Sequence, residues 1–189
     1  MTAAAVRRAT YEDVLSAPPN HTAQVIFGVL HTMPRPAFPH ARASSVLGAL
    51  VTNSFGLGIG GPGGWLILDE PELHLGPEPD ILVPDLAGWR LDRGELPDQT
   101  APWTAVAPDW ACEILSPSTK RLDRTDKMEV YLREKVSHVW HIDPIEKSLE
   151  VFRHSGSFWG RLALHYGNTK VRAEPFGAAE IDLSLIWVP

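Results

Sequence analysis

Two short apolar runs of the chain each end at a carboxylate. Asp85 closes the run Ile81–Pro84, and Glu113 closes the run Trp110–Cys112. If the two runs are neighbouring strands, their ends bring two carboxylates together, and oxygen ligands suit a hard divalent cation. The ammonium of Lys127, in the charged segment that follows, can orient water or stabilise a developing anion. These three groups are the minimum that a metal-dependent phosphodiesterase requires.

Length and composition favour one compact unit. The chain has 189 residues, of which 44% are hydrophobic, so we expect a single domain over residues 1–189. No apolar run is long enough for a membrane span, and the N-terminal charges follow the apolar residues, the reverse of a secretory leader. We therefore expect a cytoplasmic protein without a membrane partner. The single cysteine, Cys112, leaves no internal disulfide or thiolate zinc cluster and is predicted to lie in the core.

The overall charge argues against an extended nucleic-acid-binding face. Seventeen lysines and arginines oppose 23 aspartates and glutamates, a net charge of −6, whereas most nucleic-acid-binding proteins have a basic face. Carboxylate metal sites are themselves acidic, however, and residues 120–135 carry six basic and four acidic residues. A basic helix beside an acidic pocket and an ordinary solvated helix face both explain that segment.

The pattern along the chain predicts a mixed α+β fold, with a central sheet flanked by helices. The glycine-rich residues 56–64 lead into strand-like residues rather than a helix, which indicates a turn and not a phosphate-binding loop. The prolines and glycines at 76–77 indicate a hairpin connection. Helices are expected at 11–17, 38–50 and 121–135, and strands at 22–33, 65–75, 78–89, 109–115, 138–142 and 149–154, with further short strands after that.

One helical spacing connects the charged segment to the two carboxylates. Asp123, Lys127 and Tyr131 are spaced i, i+4 and i+8, so they lie on one face of the predicted helix, and Asp123 can pair with Lys127. If this face covers the strand that ends at Glu113, Lys127 reaches the carboxylates from the helix. The alternative is an ordinary surface ion pair with a tyrosine packed beneath it.

Several of these segments together resemble a known family. The segments are Pro84-Asp85, residues 108–119 with the sequence PDWACEILSPST, the D-x-x-x-K-x-x-x-Y spacing from Asp123 to Tyr131, and residues 139–144 with the sequence VWHIDP. They are similar to the Uma-two family of restriction endonucleases, within the PD-(D/E)xK nuclease superfamily. The resemblance covers about Trp65 to Arg153 and implies a restriction-endonuclease-like core, with a mixed sheet and helices on both faces.

The resemblance also implies roles for individual residues. Asp85 corresponds to the PD aspartate and Glu113 to the (D/E) position. The usual lysine would fall at Leu115, and the family resembles variants in which that lysine has moved to the adjacent helix, where Lys127 is the candidate. Glu72 is a candidate for a further acidic ligand on a neighbouring strand.

Other residues are expected to support this site. Asp123 and Tyr131 share the helix face of Lys127, and the backbone carbonyl of Ile114 is expected to help Asp85 and Glu113 hold the metal. One position departs from the family pattern: Gln24 stands where a glutamate is expected, and an amide can hydrogen-bond water but supplies no charge.

We therefore expect an endonuclease that uses Mg²⁺ or Mn²⁺ to hydrolyse phosphodiester bonds of nucleic acid, with DNA as the expected substrate. The alternative is a binding or scaffold module that keeps the nuclease fold after its site has lapsed, in line with Gln24 and the net charge of −6.

The histidines and tryptophans allow two further predictions, on solvation and on assembly. The eight histidines are scattered, and His40, near the start of the second helix, has no local partner, so a solvated role is expected for it. The seven tryptophans include Trp159 and Trp187 in predicted surface strands. Apolar surface of this kind is often covered by a partner, which predicts a homodimer.

Overall fold

A computed structural model describes residues 7–187. The helices are α1 (Tyr11–Leu15), α2 (Phe38–Val51), α3 (Lys120–Arg124) and α4 (Asp126–Arg133). A π-helical turn, Thr52–Gly56, extends α2, and a 3₁₀ turn, Leu183–Leu185, lies near the end. The strands are β1 (His21–Ile26), β2 (Val29–Pro34), β3 (Trp65–Asp69), β4 (Leu73–Leu75), β5 (Asp80–Leu82), β6 (Leu86–Arg90), β7 (Trp110–Ile114), β8 (His138–Asp143), β9 (Ser148–His154), β10 (Trp159–Tyr166), β11 (Lys170–Val171) and β12 (Ile181–Asp182).

Six strands form the large sheet, in the order β10-β9-β8-β7-β6-β3. Its neighbours are antiparallel except β7 and β8, which are parallel. A parallel pair needs a crossover connection, and here the crossover carries α3 and α4. The expected mixed α+β fold with helices flanking a central sheet is confirmed.

Side-chain alternation along β7 divides the core between the two faces of the large sheet. Trp110, Cys112 and Ile114 point to the face covered by α2 and by the C-terminal segment, where Phe176 packs against the Trp110 ring. Ala111 points to the opposite face, where Val130 and Tyr131 of α4 pack. Because Glu113 has the same parity as Ala111, its side chain points toward α4. Cys112 is fully buried, as expected.

The second, small sheet has the strand order β2-β1-β5-β4. The single strand expected at 22–33 is instead a hairpin, because Phe27 and Gly28 have φ angles of +52° and +76°. A two-residue turn with positive φ at both positions matches the twist of antiparallel strands. The apolar residues on both sides of this turn therefore belong to two paired strands.

Two further strand predictions each span a change of sheet. Residues 65–75 divide into β3 of the large sheet and β4 of the small sheet, and residues 78–89 divide into β5 of the small sheet and β6 of the large one. Pro71 and Pro84 lie in the two breaks, where the chain passes between the sheets. The hairpin expected at 76–77 is confirmed, since β4 and β5 pair antiparallel.

The helix expected at 121–135 is interrupted at Thr125, whose φ and ψ are −118° and −85°. The Thr125 hydroxyl donates to the carbonyl of Arg121 at 2.8 Å, a local bond that competes with regular helical pairing. The segment therefore forms α3 and α4, two helices joined at one residue.

The expectation that Trp159 and Trp187 are surface tryptophans is wrong for Trp187. Its side chain is buried, and its indole donates to the carbonyl of Gly167 at 3.0 Å. Trp159 is partly buried, and its indole donates to the carbonyl of Met128 in α4 at 2.9 Å. Residues of the same chain thus cover both rings, and the homodimer stays a prediction without their support. None of the helices within residues 7–187 combines the length and apolar character of a membrane span.

The face of the large sheet under α2 provides a test of the fold. Leu47 of α2 is fully buried there, so Leu47→Ala should lower the free energy of unfolding by about 2–5 kcal/mol through lost contacts and a residual cavity. Leu57, just beyond the helix, is 67% exposed, and Leu57→Ala should change stability by less than about 0.5 kcal/mol. Urea denaturation of both variants measures the difference, and equal losses would contradict this packing.

Candidate active site

A cavity of about 330 Å³ opens where the two sheets meet. Its walls come from the end of β2 and the start of α2, from the loop between β7 and α3, and from the first turn of α4. We call it the carboxylate cavity because Glu70, Asp85, Glu113 and Asp123 all line it.

Asp85 lies on the connection that brings the chain from the small sheet into β6. Its backbone stands beside β7, since Leu86 pairs with Cys112 and the register places Asp85 next to Glu113. One carboxylate oxygen, Oδ2, accepts the N–H of Ile114 at 2.6 Å. The other, Oδ1, lies 3.1 Å from Nε2 of His40 on α2. Two elements therefore fix the orientation of this carboxylate.

The backbone of Ile114 adds a possible ligand next to Asp85. In a strand, the N–H and C=O of one residue point to the same side. Because the Ile114 N–H points to Asp85, the Ile114 carbonyl faces that side as well. Leu115, the next residue, donates its N–H to the carbonyl of Ile142 on β8 at 2.7 Å, on the other side of the strand.

Glu113 is buried, and α4 provides donors to both of its carboxylate oxygens. Lys127 Nζ donates to Oε2 at 2.8 Å, and the Tyr131 hydroxyl donates to Oε1 at 2.5 Å. Lys127 Nζ is also 3.2 Å from Oδ1 of Asp123 and 3.4 Å from the carbonyl of Val83. The lysine thus connects α3, α4, β7 and the β5–β6 connection through one ammonium group.

The pair formed by Asp123 and Lys127 is not a surface ion pair. The two side chains are 4% and 3% exposed, so the surface alternative is wrong for this protein. Buried charges are costly unless they are paired and hydrogen-bonded. Lys127 meets that condition. The three carboxyl groups of Asp85, Glu113 and Asp123 do not all meet it, because they share one ammonium.

Burial and neighbouring charges together shift the pKa values of Glu113, Asp123 and Lys127. Burial raises the pKa of Glu113 to about 8, against the attraction of Lys127, and the Asp123 and Asp85 carboxyls add to the rise. Burial also raises the pKa of Asp123. Burial alone would lower the pKa of the Lys127 ammonium, but Glu113, Asp123 and Asp85 outweigh burial and raise it. Lys127 therefore keeps its charge, and the carboxyl groups compete for the remaining protons.

The pKa values of the two nearby histidines shift in opposite directions. Burial lowers the pKa of His141, which lies opposite Glu113 on β8, to about 4, so this ring is neutral at pH 7. Burial would lower the pKa of His40 as well, but its bond to Asp85 outweighs burial and raises it. Sequence reasoning missed His40: it is 12% exposed rather than solvated, and its partner lies 45 positions further along the chain.

The residues of the carboxylate cavity fit a hard divalent cation. Within residues 7–187, no three His, Cys, Asp or Glu side chains are already arranged as a metal cage. Mg²⁺, however, usually keeps several waters and uses only one or two carboxylates. Asp85, Glu113 and the Ile114 carbonyl form an oxygen donor set of that kind, in a cluster with more carboxyl groups than fixed positive charges.

Comparison with protein families identifies the relatives of the chain. The family model Uma2, described as "Putative restriction endonuclease", matches residues 8–185. The chain belongs to the Uma2 family. A search of curated proteins gave no match.

One solved structure shows the same fold. It is described as a putative nuclease belonging to DUF820 from Anabaena variabilis ATCC 29413, and it superposes with a TM-score of 0.73 over 94% of this chain and 97% of that chain. At 22% sequence identity, this likeness concerns the fold alone. The family recognised from the sequence motifs is thus confirmed by the family model, and the nuclease-like fold by this neighbour.

Gln24, which stands where Uma2 proteins are expected to carry a glutamate, lies on β1 and lines the carboxylate cavity. The side chain is buried, and its Oε1 accepts the N–H of Val83 at 2.9 Å. The amide therefore stabilises the β5–β6 connection from which Asp85 projects. It contributes no negative charge to the cluster.

Glu72 does not join the other predicted residues. Its Oε1 lies within hydrogen-bond distance of His74 Nε2, at 2.8 Å, and its side chain lines a different cavity, beside Trp103. Glu70 takes the position expected for Glu72, because its N–H donates to the Asp85 carbonyl at 3.1 Å and its side chain lines the carboxylate cavity. Glu70 has a φ of +44°, in the left-handed region, where the chain turns from one sheet toward the other.

The raised pKa of Glu113 predicts a pH-dependent stability. The folded state keeps this proton up to about pH 8, whereas the unfolded chain releases it near 4.5. The folded state then binds more protons between these values, so this contribution to stability is lost as the pH rises through the window. We expect the free energy of unfolding of wild type to fall with rising pH relative to Glu113→Gln, in urea titrations without metal. The exposed Glu146→Gln provides the control, and parallel pH profiles for wild type and Glu113→Gln would contradict the assignment.

Proposed function

We propose that the protein is a metal-dependent endonuclease that hydrolyses phosphodiester bonds of nucleic acid, with DNA as its substrate. One observation carries the proposal: Asp85, Glu113 and Asp123 converge on one cavity around the single ammonium of Lys127. Membership of the Uma2 family supports the same reaction class. Mg²⁺ or Mn²⁺ is the proposed cofactor.

In such a site, some residues would hold the cation and others would orient those ligands. Asp85, Glu113 and the Ile114 carbonyl would hold the cation, which supplies an activated water and polarises a phosphate oxygen. His40 and the Ile114 N–H keep Asp85 oriented, and Tyr131 keeps Glu113 oriented. Ligands that are held in place in this way lose less freedom on binding.

Lys127 is suited to donate hydrogen bonds rather than to accept a proton. Its raised pKa keeps the amine protonated, so it cannot act as a general base at neutral pH. Its Nζ lies 2.8 Å from Glu113, at the wall of the cavity, where it can donate to the attacking water or to a non-bridging phosphate oxygen. Preorganised donors of this kind stabilise charge that develops in the transition state.

A lapsed nuclease-fold module is the second candidate. Two observations favour it: Gln24 replaces an expected carboxylate, and both oxygens of Glu113 already accept bonds from Lys127 and Tyr131. In such a module Lys127 would permanently neutralise the site in place of a metal. The two candidates differ in whether the protein binds Mn²⁺ and cleaves DNA.

Metal binding is the first test. Isothermal titration with Mn²⁺ should give one or two sites per chain in the wild type. Asp85→Asn and Glu113→Gln should each abolish the binding, because each replaces a carboxyl ligand with a neutral amide; the Glu113 carboxyl releases its proton when it binds the cation. Asp92→Asn is the control, since that carboxylate is 68% exposed and pairs with Arg90. Unchanged binding in both site variants would contradict the proposed metal site.

Cleavage tests the role of Lys127. Lys127→Ala should reduce nicking of plasmid DNA by about 10²–10³-fold while retaining Mn²⁺ binding, because the ammonium is not a metal ligand. Lys120→Ala, from a lysine that is 44% exposed and pairs with Asp143, should stay close to wild type.

Stability must be measured alongside cleavage. Removal of one partner from a buried ion pair costs about 3–5 kcal/mol, so the melting temperature of Lys127→Ala with Mn²⁺ is needed to establish that it is folded. Equal nicking by folded Lys127→Ala and wild type would exclude the catalytic role. No cleavage by wild type in Mg²⁺ or Mn²⁺ would favour the lapsed module.

A further inference from the structure

The carboxylate cavity has the wrong charge for the substrate proposed above. Glu70, Asp85, Glu113 and Asp123 line it, and a phosphodiester also carries a negative charge. A bound cation offsets part of this repulsion, and a second positive group near the opening would offset more. The cations that line the cavity therefore indicate how a nucleic-acid backbone could enter it.

Three basic side chains line the cavity, and they differ in their contacts. Lys127 is bound to Glu113 and Asp123, and His40 is bound to Asp85. Arg35 is exposed, and among residues 7–187 it forms no hydrogen bond or ion pair. Burial and the Asp69 and Asp85 carboxyls raise the pKa of Glu70, and the charge of Arg35 opposes that rise without a direct bond. The hydrogen-bond donors of the Arg35 guanidinium therefore stay available to a ligand.

The backbone holds Arg35 at a defined place on the rim. Pro34 ends β2 and Pro36 follows Arg35, and α2 begins two residues later with Phe38. Proline fixes its own φ and restricts the residue before it, so the short connection between β2 and α2 has little freedom. The same connection leads to His40, which contacts Asp85. The arginine is therefore placed relative to the proposed metal ligands by a stiff segment.

We propose that Arg35 is a substrate-positioning residue that binds a phosphate group of the nucleic-acid backbone next to the scissile one. Guanidinium matches two phosphate oxygens at once and is weakly hydrated. A contact to phosphate positions the strand without reading its sequence. This inference rests on the proposed endonuclease function and assigns to that site the group that receives its anionic substrate.

The test measures binding separately from cleavage. Fluorescence anisotropy of a short labelled DNA duplex is followed in Ca²⁺, a hard cation that uses oxygen ligands, at several KCl concentrations. Arg35→Ala should weaken binding by about 10-fold and reduce the slope of log affinity against log salt by about 0.9. Arg35→Lys should recover the slope because it keeps the charge. Mn²⁺ affinity and melting temperature should match wild type in both variants.

Arg90, which pairs with Asp92, provides a control on the large sheet for the loss of an exposed arginine away from the cavity. It is the last residue of β6, about 16 Å along the strand from Asp85, and its side chain is 55% exposed. Arg90→Ala should leave DNA affinity and salt slope unchanged. If Arg35→Ala binds DNA like wild type, or loses no more than Arg90→Ala, the role of Arg35 is excluded while the endonuclease proposal stands. If wild type binds no DNA at any salt concentration, both proposals are overturned.

Discussion

The buried contact between Lys127 and Glu113 is the interaction on which the arrangement of the site depends. Glu113 points toward α4 because of its parity in β7, and Lys127 reaches it at 2.8 Å. The same ammonium contacts Asp123 and the carbonyl of Val83. One positive charge therefore holds the crossover helices, the centre of the large sheet and the connection that carries Asp85 in a single arrangement. Buried ion pairs contribute little net stability, so the contact is better understood as a source of specific geometry than of folding energy.

The topology of the chain brings together carboxylates that are distant in sequence. Asp85 enters from the small sheet, and Glu113 is the last residue but one of a central strand of the large one. Asp123 arrives with the crossover that the parallel β7–β8 pair requires. Each carboxylate sits at the end of a regular element, where the backbone changes direction and a side chain can point into a shared space.

Local sequence patterns were enough to predict part of this site. The i, i+4, i+8 spacing placed Asp123, Lys127 and Tyr131 on one face, and these three side chains do share a cluster, although Thr125 interrupts the helix between the first two. The apolar runs before Asp85 and Glu113 likewise marked strand-associated carboxylates. Such patterns depend only on the geometry of one helix or strand. They therefore still place a side chain correctly when the ends of that element differ slightly from the prediction.

Features that depend on two elements could not be predicted in this way. Alternation along residues 65–75 does not reveal that the chain leaves the large sheet after Asp69, so Glu72 was named as a candidate although Glu70 is the residue that lines the cavity. His40 and Asp85 are brought together by packing of α2 against the large sheet, which no local spacing records. Trp187 was expected on the surface, yet its ring lies in the core and its indole donates to the carbonyl of Gly167. These outcomes depend on tertiary contacts rather than on local preference.

The passage of the chain between the two sheets has a mechanical consequence. Both Glu70 and Asp85 lie on segments that cross from one sheet to the other, whereas Glu113 belongs to the interior of the large sheet. Asp85 is anchored to the large sheet by the Ile114 N–H, and Glu70 is anchored to Asp85 through its own N–H. The spacing of these carboxylates is therefore set by hydrogen bonds at the strand ends of the large sheet, so the two crossing segments keep this spacing even where they leave the regular strands.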